Sequence, residues 1–384
     1  MRNVCIAGVG MTAFGKFPSR RFEDLGLEAV RGAIVDAGID ASLIQAGYAG
    51  HARTGRVLGW ESGVGQAVLW EAGITGIPIV GIANFCSSGG SAFREAWVAV
   101  AAGLVDCAIA IGIEKLSVRS DKGVPFTSDG VEIEGKLGFT PPAFFAMVAQ
   151  RHMAQHGTTR EQMADVTVKN RRHASANPRA QYRQPITRDE VLASPMVAEP
   201  LTKVQCCPTG DGAAAAILVS EDLARKLGGR GPIRVLAVQL VSGHYEPARD
   251  ITSFEATVRA ANLAYEQAGI GPQDVDVAEV HDCFSIAEIV HYEDLGFCER
   301  GAGGRFVSQA GIDGTVAVNT SGGLLSKGHP LGATGIAQLA EVVWQLRGEA
   351  GGRQVKDARI GLAHVVGGFQ AGDAASVSLI LLGR

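Results

Sequence analysis

The segment Ile82-Ala83-Asn84-Phe85-Cys86-Ser87-Ser88-Gly89-Gly90-Ser91-Ala92-Phe93 puts a thiol on a loop that runs straight into a helix. A cysteine there feels the positive end of the helix macrodipole and the unsatisfied N–H groups of the first turn. Both favour thiolate, the nucleophilic form of the side chain. The glycine pair lets backbone approach a substrate closely, and the serines suit a helix N-cap. Most cysteines in a large chain are inert core thiols, so the case for chemistry rests on what else the chain offers Cys86.

It offers two histidines and a second thiol. Asn319-Thr-Ser-Gly-Gly-Leu-Leu-Ser-Lys-Gly-His329-Pro-Leu-Gly-Ala-Thr-Gly335 fixes His329 between glycines and a proline, just before a helix. An imidazole so constrained is a candidate general base for a cysteine nucleophile. His281-Asp282-Cys283-Phe284 follows the predicted strand Val275–Val280. That is a strand C-terminus, where open α/β sheets place ligands. If the segment stays extended, His281 and Cys283 point to one side and can converge on one cavity, although a hydrogen-bonded core pair fits the same spacing. Near the C-terminus, Gly367-Gly368 lie in a loop whose backbone N–H groups could serve an oxyanion.

The elements that must carry these groups come twice. FEDLGLEAVRGAIVDAGID at 22–40 is echoed by FEATVRAANLAYEQAGIG at 254–271, so that Ala29, Ala33, Ala37, Gly38 and Ile39 fall on Ala260, Ala264, Ala268, Gly269 and Ile270. Alanines every four residues mark one closely packed helix face. The strand Val4–Ala7 matches Val235–Val238, Gly210-Asp211-Gly212 matches Gly372-Asp373-Ala374, and Asn84-Phe85-Cys86 resembles Asn319-Thr320-Ser321. Helices alternating with short apolar strands predict a mixed α/β fold in two halves, 1–225 and 232–384, joined around Lys226–Pro232. An insertion at about 114–207 lengthens the first half and holds two predicted helices, Ala143–His156 and Thr159–Ala176. Its 151–190 segment has eight Arg or Lys against four Asp or Glu. That local charge of +4 is either a solvated face or a landing site for an anionic, phosphorylated ligand.

Composition excludes several other classes. The 384 residues are 46% hydrophobic and 19% charged, with a net charge of −4, which suits a sizeable core and gives no sign of bulk nucleic-acid binding. No apolar run is long enough to span a bilayer, and Met1–Gly10 reads as a strand, not a signal peptide. Seven irregularly spaced cysteines without a C-x-x-C pair make neither a disulfide framework nor a structural zinc site. A soluble protein of a reducing compartment, the cytoplasm, is expected. Fifty-one glycines, far above the usual ~7%, imply many sharp turns and close approaches.

Taken together, the Cys86 loop, His281-Asp-Cys-Phe, Gly328-His-Pro-Leu-Gly-Ala-Thr-Gly and the terminal glycine pair resemble the thiolases, along essentially the whole chain. Within that family the likeness is to the sterol-carrier-protein-type branch with its bacterial and archaeal relatives. The resemblance implies an α/β thiolase fold, a five-layer αβαβα sandwich of two similar halves with an inserted loop domain. It implies Cys86 as the acylated nucleophile, His329 as its activator, and His281 with His329 as one oxyanion hole. The backbone N–H groups of Cys86 and Gly368 would make a second. Many thiolases place another catalytic cysteine just before the C-terminal glycine pair, but here the stretch reads Ala363-His364-Val365-Val366-Gly367-Gly368. By the resemblance Cys283 takes that acid/base role, with His364 the weaker substitute.

The activity so implied is that of an acyl-CoA C-acyltransferase, cleaving a 3-oxoacyl-CoA with coenzyme A or running the reverse Claisen condensation. Coenzyme A would be a substrate; no permanently bound cofactor and no metal are expected. Condensation onto a non-CoA acceptor, retro-aldol cleavage and a non-catalytic subunit are the alternatives. The family also implies a homodimer or higher homo-oligomer and a small zinc-ribbon/OB-fold partner, with neither nucleic acid nor membrane involved. An unfused form without a lipid-transfer domain is expected. Phe126, Phe139, Phe144, Phe145 and Met147 are expected to form the insertion's own core in preference to an acyl pocket.

Overall fold

The computed structural model describes residues 1–60, 62–118, 139–228, 231–244, 249–370 and 372–384. Phe126 lies outside the described residues.

The first half contributes the strands β1 (Val4–Met11), β2 (Ala46–Gly50), β3 (Ile79–Ile82) and β4 (Cys107–Glu114), then the small hairpin β5 (Met196–Ala198) and β6 (Leu201–Thr202), and finally β7 (Gly212–Ser220). The second contributes β8 (Ile233–Val241), β9 (Val277–Glu279), β10 (Ala317–Val318), β11 (Ile360–Gln370) and β12 (Asp373–Gly383). The hairpin apart, the strands run β3-β2-β4-β7-β1 and then β8-β12-β11-β9-β10. Read outward from the junction, both halves give first, last, fourth, second and third strand. The parallel pairs are the same too: β2 with β3 and β4, β9 with β10 and β11. Among the described residues the halves pair edge to edge where Cys5 and Ile6 meet Arg234 and Ile233. The sequence echo at Gly-Asp-Gly and Gly-Asp-Ala thus opens the same strand, β7 and β12, in each half.

The helices that matter here are α1 (Phe22–Ala37), α2 (Val64–Glu71), α3 (Ser88–Ala101), α4 (Pro141–His156), α5 (Arg160–Ser175), α6 (Glu255–Ala268), α7 (Ser285–Asp294) and α8 (Leu331–Arg347). The alanine rows do what their spacing predicts: Ala29 and Ala33 of α1 are fully buried against β1 and β7, and Ala260 and Ala264 of α6 against β8 and β12. With α2 beside α1 and α7 beside α6, these are the two outer layers. Between the sheets lie α3 and α8, packed on each other. Every residue of α8 from Gly332 to Val343 is buried, the all-round burial of a helix that faces protein on every side.

Here the glycines of the Cys86 loop find their use. A Cβ on Gly89 would stand 2.5 Å from the Gly332 carbonyl oxygen, and one on Gly335 2.8 Å from the Gly90 nitrogen. Of the glycine pair read as room for a substrate, Gly89 makes room for the N-terminus of α8, while a Cβ on Gly90 would stand 2.4 Å from Ser378 Oγ on β12. The two central helices therefore cross at their first turns, where Cys86 and His329 stand.

The insertion belongs to the first half in sequence but packs on the second. Helix α4 meets α7, and α5 meets both α7 and the turn Gly323–Ser326. Lys169 of α5 is buried against Glu288 at 2.8 Å, and Asn170 donates to Asp282 at 2.8 Å and to Glu288 at 2.7 Å. Among the described residues no helix is long and apolar enough to cross a membrane.

Candidate active site

Cys86 sits on the turn from β3 into α3, after Phe85 with its left-handed backbone (φ 50°). His329 precedes α8, following Gly328 at φ 113°. Crossing of the two helix starts brings Cys86 Sγ within 3.3 Å of His329 Nε2. The other ring nitrogen, Nδ1, lies 2.8 Å from Thr334 Oγ1, and that hydroxyl donates its one proton to the Pro330 carbonyl at 2.9 Å. Thr334 can then only accept from His329, which places the imidazole proton on Nδ1. Nε2 is left with its lone pair toward the thiol, as a general base requires.

Burial overrides the helix-terminus effect on the nucleophile. Desolvation, followed by the nearby Glu114 carboxylate, pushes the Cys86 thiol up to about 12, against which hydrogen bonding from the Gly368 N–H and the charge of Arg53 act more weakly. Burial, seconded by the Lys327 ammonium, holds His329 down to about 3. Burial thus opposes the thiolate that the helix start favours and favours a thiol beside a neutral imidazole. The proton moves to Nε2 only as sulfur attacks.

His281 stands edge-on to His329 with ring centroids 5.2 Å apart. One donor atom each from Cys86, His281 and His329 lie within 4.8 Å of one another, a sulfur–two-nitrogen set that a soft divalent ion could also use. Burial and the neighbouring His329, His291 and His364 hold His281 well below the usual imidazole range, so it faces the cavity neutral. Its Nδ1 is buried without a partner among the described residues, as are both ring nitrogens of His291 and Nδ1 of His364. His291 and His364 pack edge-on at 4.6 Å, and His364 Nε2 lies 3.2 Å from Thr257 Oγ1. His364 thus lies behind His281, outside the cavity lining, and is not placed to act as a second acid/base there.

Cys283 does line the cavity, with Cys86, His281, His329 and Gly368. Desolvation by burial, with the Cys207 and Cys86 thiols next in effect, pushes its thiol well above the ordinary value, so it too is protonated. Asp282 between the two motif residues points away. It accepts from the Leu324 N–H at 2.6 Å, the Leu325 N–H at 3.3 Å and Asn170, and so pins the motif to the turn below. Burial and the adjacent Glu288 carboxylate push Asp282 well above its ordinary range.

Several contributors escaped the sequence. Cys206 and Cys207 line the same cavity, and the Cys207 N–H donates to the Cys283 carbonyl at 2.9 Å. Arg53 also lines it. Glu114, taken only as the start of the insertion, is fully buried at the end of β4. Its carboxylate accepts from the Ala52 and Arg53 N–H groups at 3.0 Å each, from Thr54 Oγ1 at 2.6 Å and from the Gly332 N–H at 2.9 Å. It therefore clamps the start of α8 to the first half. A buried acid at a strand end was the one available signal. Of the basic 151–190 segment, Lys169 is spent on Glu288, Arg188 pairs with Asp165 at 2.7 Å, and Arg171 and Arg179 lie over Tyr182 and Trp344. Arg151, Arg172 and Arg183 are exposed.

A thiol and a neutral imidazole at the crossing of two central helices, in a sandwich whose halves repeat one strand order, define an acyltransferase. The chain belongs to the thiolase family, in the branch that holds the sterol-carrier and archaeal proteins. The model for the thiolase N-terminal domain matches residues 4–222, and that for the thiolase C-terminal domain-like family matches residues 238–381. An acetyl-CoA acetyltransferase of Methanothermobacter thermautotrophicus is 46% identical over 96% of this chain and 97% of its own. Benzoylsuccinyl-CoA thiolase subunit BbsB of Thauera aromatica is 42% identical over 96% and 95%. Bovine sterol carrier protein 2 is 39% identical, over 100% of this chain and 73% of that protein. Among solved structures, an Ltp2–ChsH2(DUF35) aldolase superposes with a TM-score of 0.84 at 29% identity, covering 100% of this chain and 98% of that one.

Proposed function

We propose that the protein is a thiolase that cleaves a 3-oxoacyl-CoA with coenzyme A, or runs the reverse condensation, through an acyl-Cys86 intermediate. The observation that carries this is the Cys86 Sγ–His329 Nε2 contact of 3.3 Å, with the imidazole proton held on Nδ1. His329 takes the thiol proton as sulfur attacks the 3-keto carbon. The C2–C3 bond then breaks, and its electron pair becomes an enolate whose oxygen is held by His281 and the protonated His329. Cys283 gives its proton to C2, the C1–C2 fragment leaves as a short acyl-CoA (acetyl-CoA for an unbranched substrate), and the remaining acyl group stays on Cys86. The Cys283 thiolate next takes the proton of coenzyme A, whose sulfur attacks the acyl-Cys86 carbonyl. The N–H groups of Cys86 and Gly368 hold the oxyanion, and His329 returns its proton to the departing Cys86 sulfur. The exposed Arg151, Arg172 and Arg183 are the candidates for the coenzyme A phosphates.

Iodoacetamide should alkylate Cys86 first among the seven free cysteines and be blocked by acyl-CoA. Cys86→Ala should lose thiolysis, whereas Cys283→Ala should still form the acyl-enzyme but turn over at least 100-fold more slowly. Full thiolysis by Cys86→Ala would refute the reading. The aldolase named in the structural match motivates one competing reading, retro-aldol cleavage, in which the nucleophile is dispensable. Cys86→Ala separates the two directly. The same match is to a complex with a DUF35 protein, and we expect a homo-oligomer that binds a small zinc-ribbon/OB-fold partner of that kind, working in the cytoplasm. Gel filtration after co-expression tests this.

A further inference from the structure

The chemistry above uses one wall of a cavity of about 620 Å³, and the opposite wall is hydrocarbon. Among its described lining residues the only charged side chain is Arg53. Three of the groups have a phenylalanine beside them in the chain that also lines the cavity: Phe85 before Cys86, Phe284 after Cys283, Phe369 after Gly368. Phe145, from α4 of the insertion, completes the wall. It stacks on Phe284 with centroids 4.6 Å apart at 28° and meets Phe369 edge-on at 5.1 Å and 79°. Phe145 is fully buried in the core, as expected, and also lines the cavity, whereas Phe144 is buried beside it without lining the cavity and Met147 is half exposed.

Resting on the thiolase reading, we propose that the acyl group transferred to Cys86 is an uncharged aryl group, and that Phe145 determines this specificity. Two rings set in stacked and edge-on geometry offer a third ring the same two favourable contacts. An acetyl group would fill only a small part of a cavity of about 620 Å³. The described lining holds no carboxylate for a cationic acyl terminus, and Arg53 is the one described charged side chain that an anionic terminus could meet. In an apolar pocket each further methylene is worth roughly tenfold or more in kcat/KM, so a whole ring should exceed that. The insertion then selects the substrate while the duplicated halves supply the chemistry.

The test compares acetoacetyl-CoA, 3-oxodecanoyl-CoA and 3-oxo-3-phenylpropanoyl-CoA in thiolysis by the full chain. The phenyl substrate should lead acetoacetyl-CoA by at least tenfold in kcat/KM and should also lead the straight chain. Phe145→Ala should collapse that ratio toward one, and Phe369→Leu, at a half-buried position, should lower it without threatening the fold. Preference for acetoacetyl-CoA or for the straight chain, or a ratio unmoved in both variants, overturns the proposal. If no substrate is cleaved, the thiolase reading fails separately. Protection of Cys86 from iodoacetamide then still decides: benzoyl-CoA should protect at a concentration at least tenfold below acetyl-CoA, and equal protection would overturn the aryl pocket.

Discussion

Replacing Thr334 by valine removes one oxygen from the base of the site and almost no volume. The hydroxyl is the acceptor that keeps the His329 proton on Nδ1, at 2.8 Å, because its own proton is held by Pro330 at 2.9 Å. In Thr334→Val the buried Nδ1–H loses its partner, at a cost of about 1–3 kcal/mol. The ring relieves this by moving its proton to Nε2, which then faces Cys86 as a donor and cannot accept the thiol proton. Restoring the productive tautomer costs that same penalty, so kcat/KM and the alkylation rate of Cys86 should each fall about 10- to 100-fold, at tenfold per 1.4 kcal/mol. The thermal midpoint should shift by only a few degrees, since α8 keeps its packing. Thr334→Ser, which keeps the hydroxyl, should recover most of the rate. The assay pairs single-turnover acylation of Cys86, followed by mass spectrometry, with steady-state thiolysis. A valine variant within twofold of the native protein in both would refute the tautomer argument.

The remaining expectations concern the same pair and the crossing that makes it. With the Cys86 thiol raised to about 12 by burial and His329 lowered to about 3 by burial, neither titrates near neutrality. Lowering the pH from 8 to 5 should therefore cost no activity through His329, where an ordinary imidazole would lose half near pH 6.5. Nor should a Cys86-dependent thiolate absorbance, taken as the difference from Cys86→Ala, rise below pH 9; a step near pH 6 to 8 in either measurement would contradict the neutral pair. Gly112→Ala would set a Cβ 2.3 Å from the Gly332 carbonyl oxygen, with backbone on both sides. Such overpacking should destabilise by about 1–3 kcal/mol and displace the start of α8. Urea unfolding and the Cys86 alkylation rate should therefore decline together, and loss of stability alone would show that the helix start does not position His329.

Much of this protein was legible in its residue order because the information there is local. The alanine rows of α1 and α6 are set by a four-residue spacing, and the Gly-Asp echo by the strands it opens. The proposed reacting set Cys86, His281, Cys283 and His329 stood out through its motif contexts, and all four line one cavity. What the residue order left open depends on distances between segments far apart in the chain. Glycines 89 and 90 read as substrate space, and only the fold turns Gly89 toward α8 and Gly90 toward Ser378 of β12. Lys169 lies in a segment that reads as a solvated face or an anion site, and only the insertion's docking on the second half sets it against Glu288. Glu114 and Thr334 have no motif, yet one clamps the helix start and the other fixes a proton. The sign of the Cys86 shift was decided the same way. A helix terminus favours thiolate within one turn, but desolvation depends on everything packed around the sulfur, and in this fold it is the larger effect.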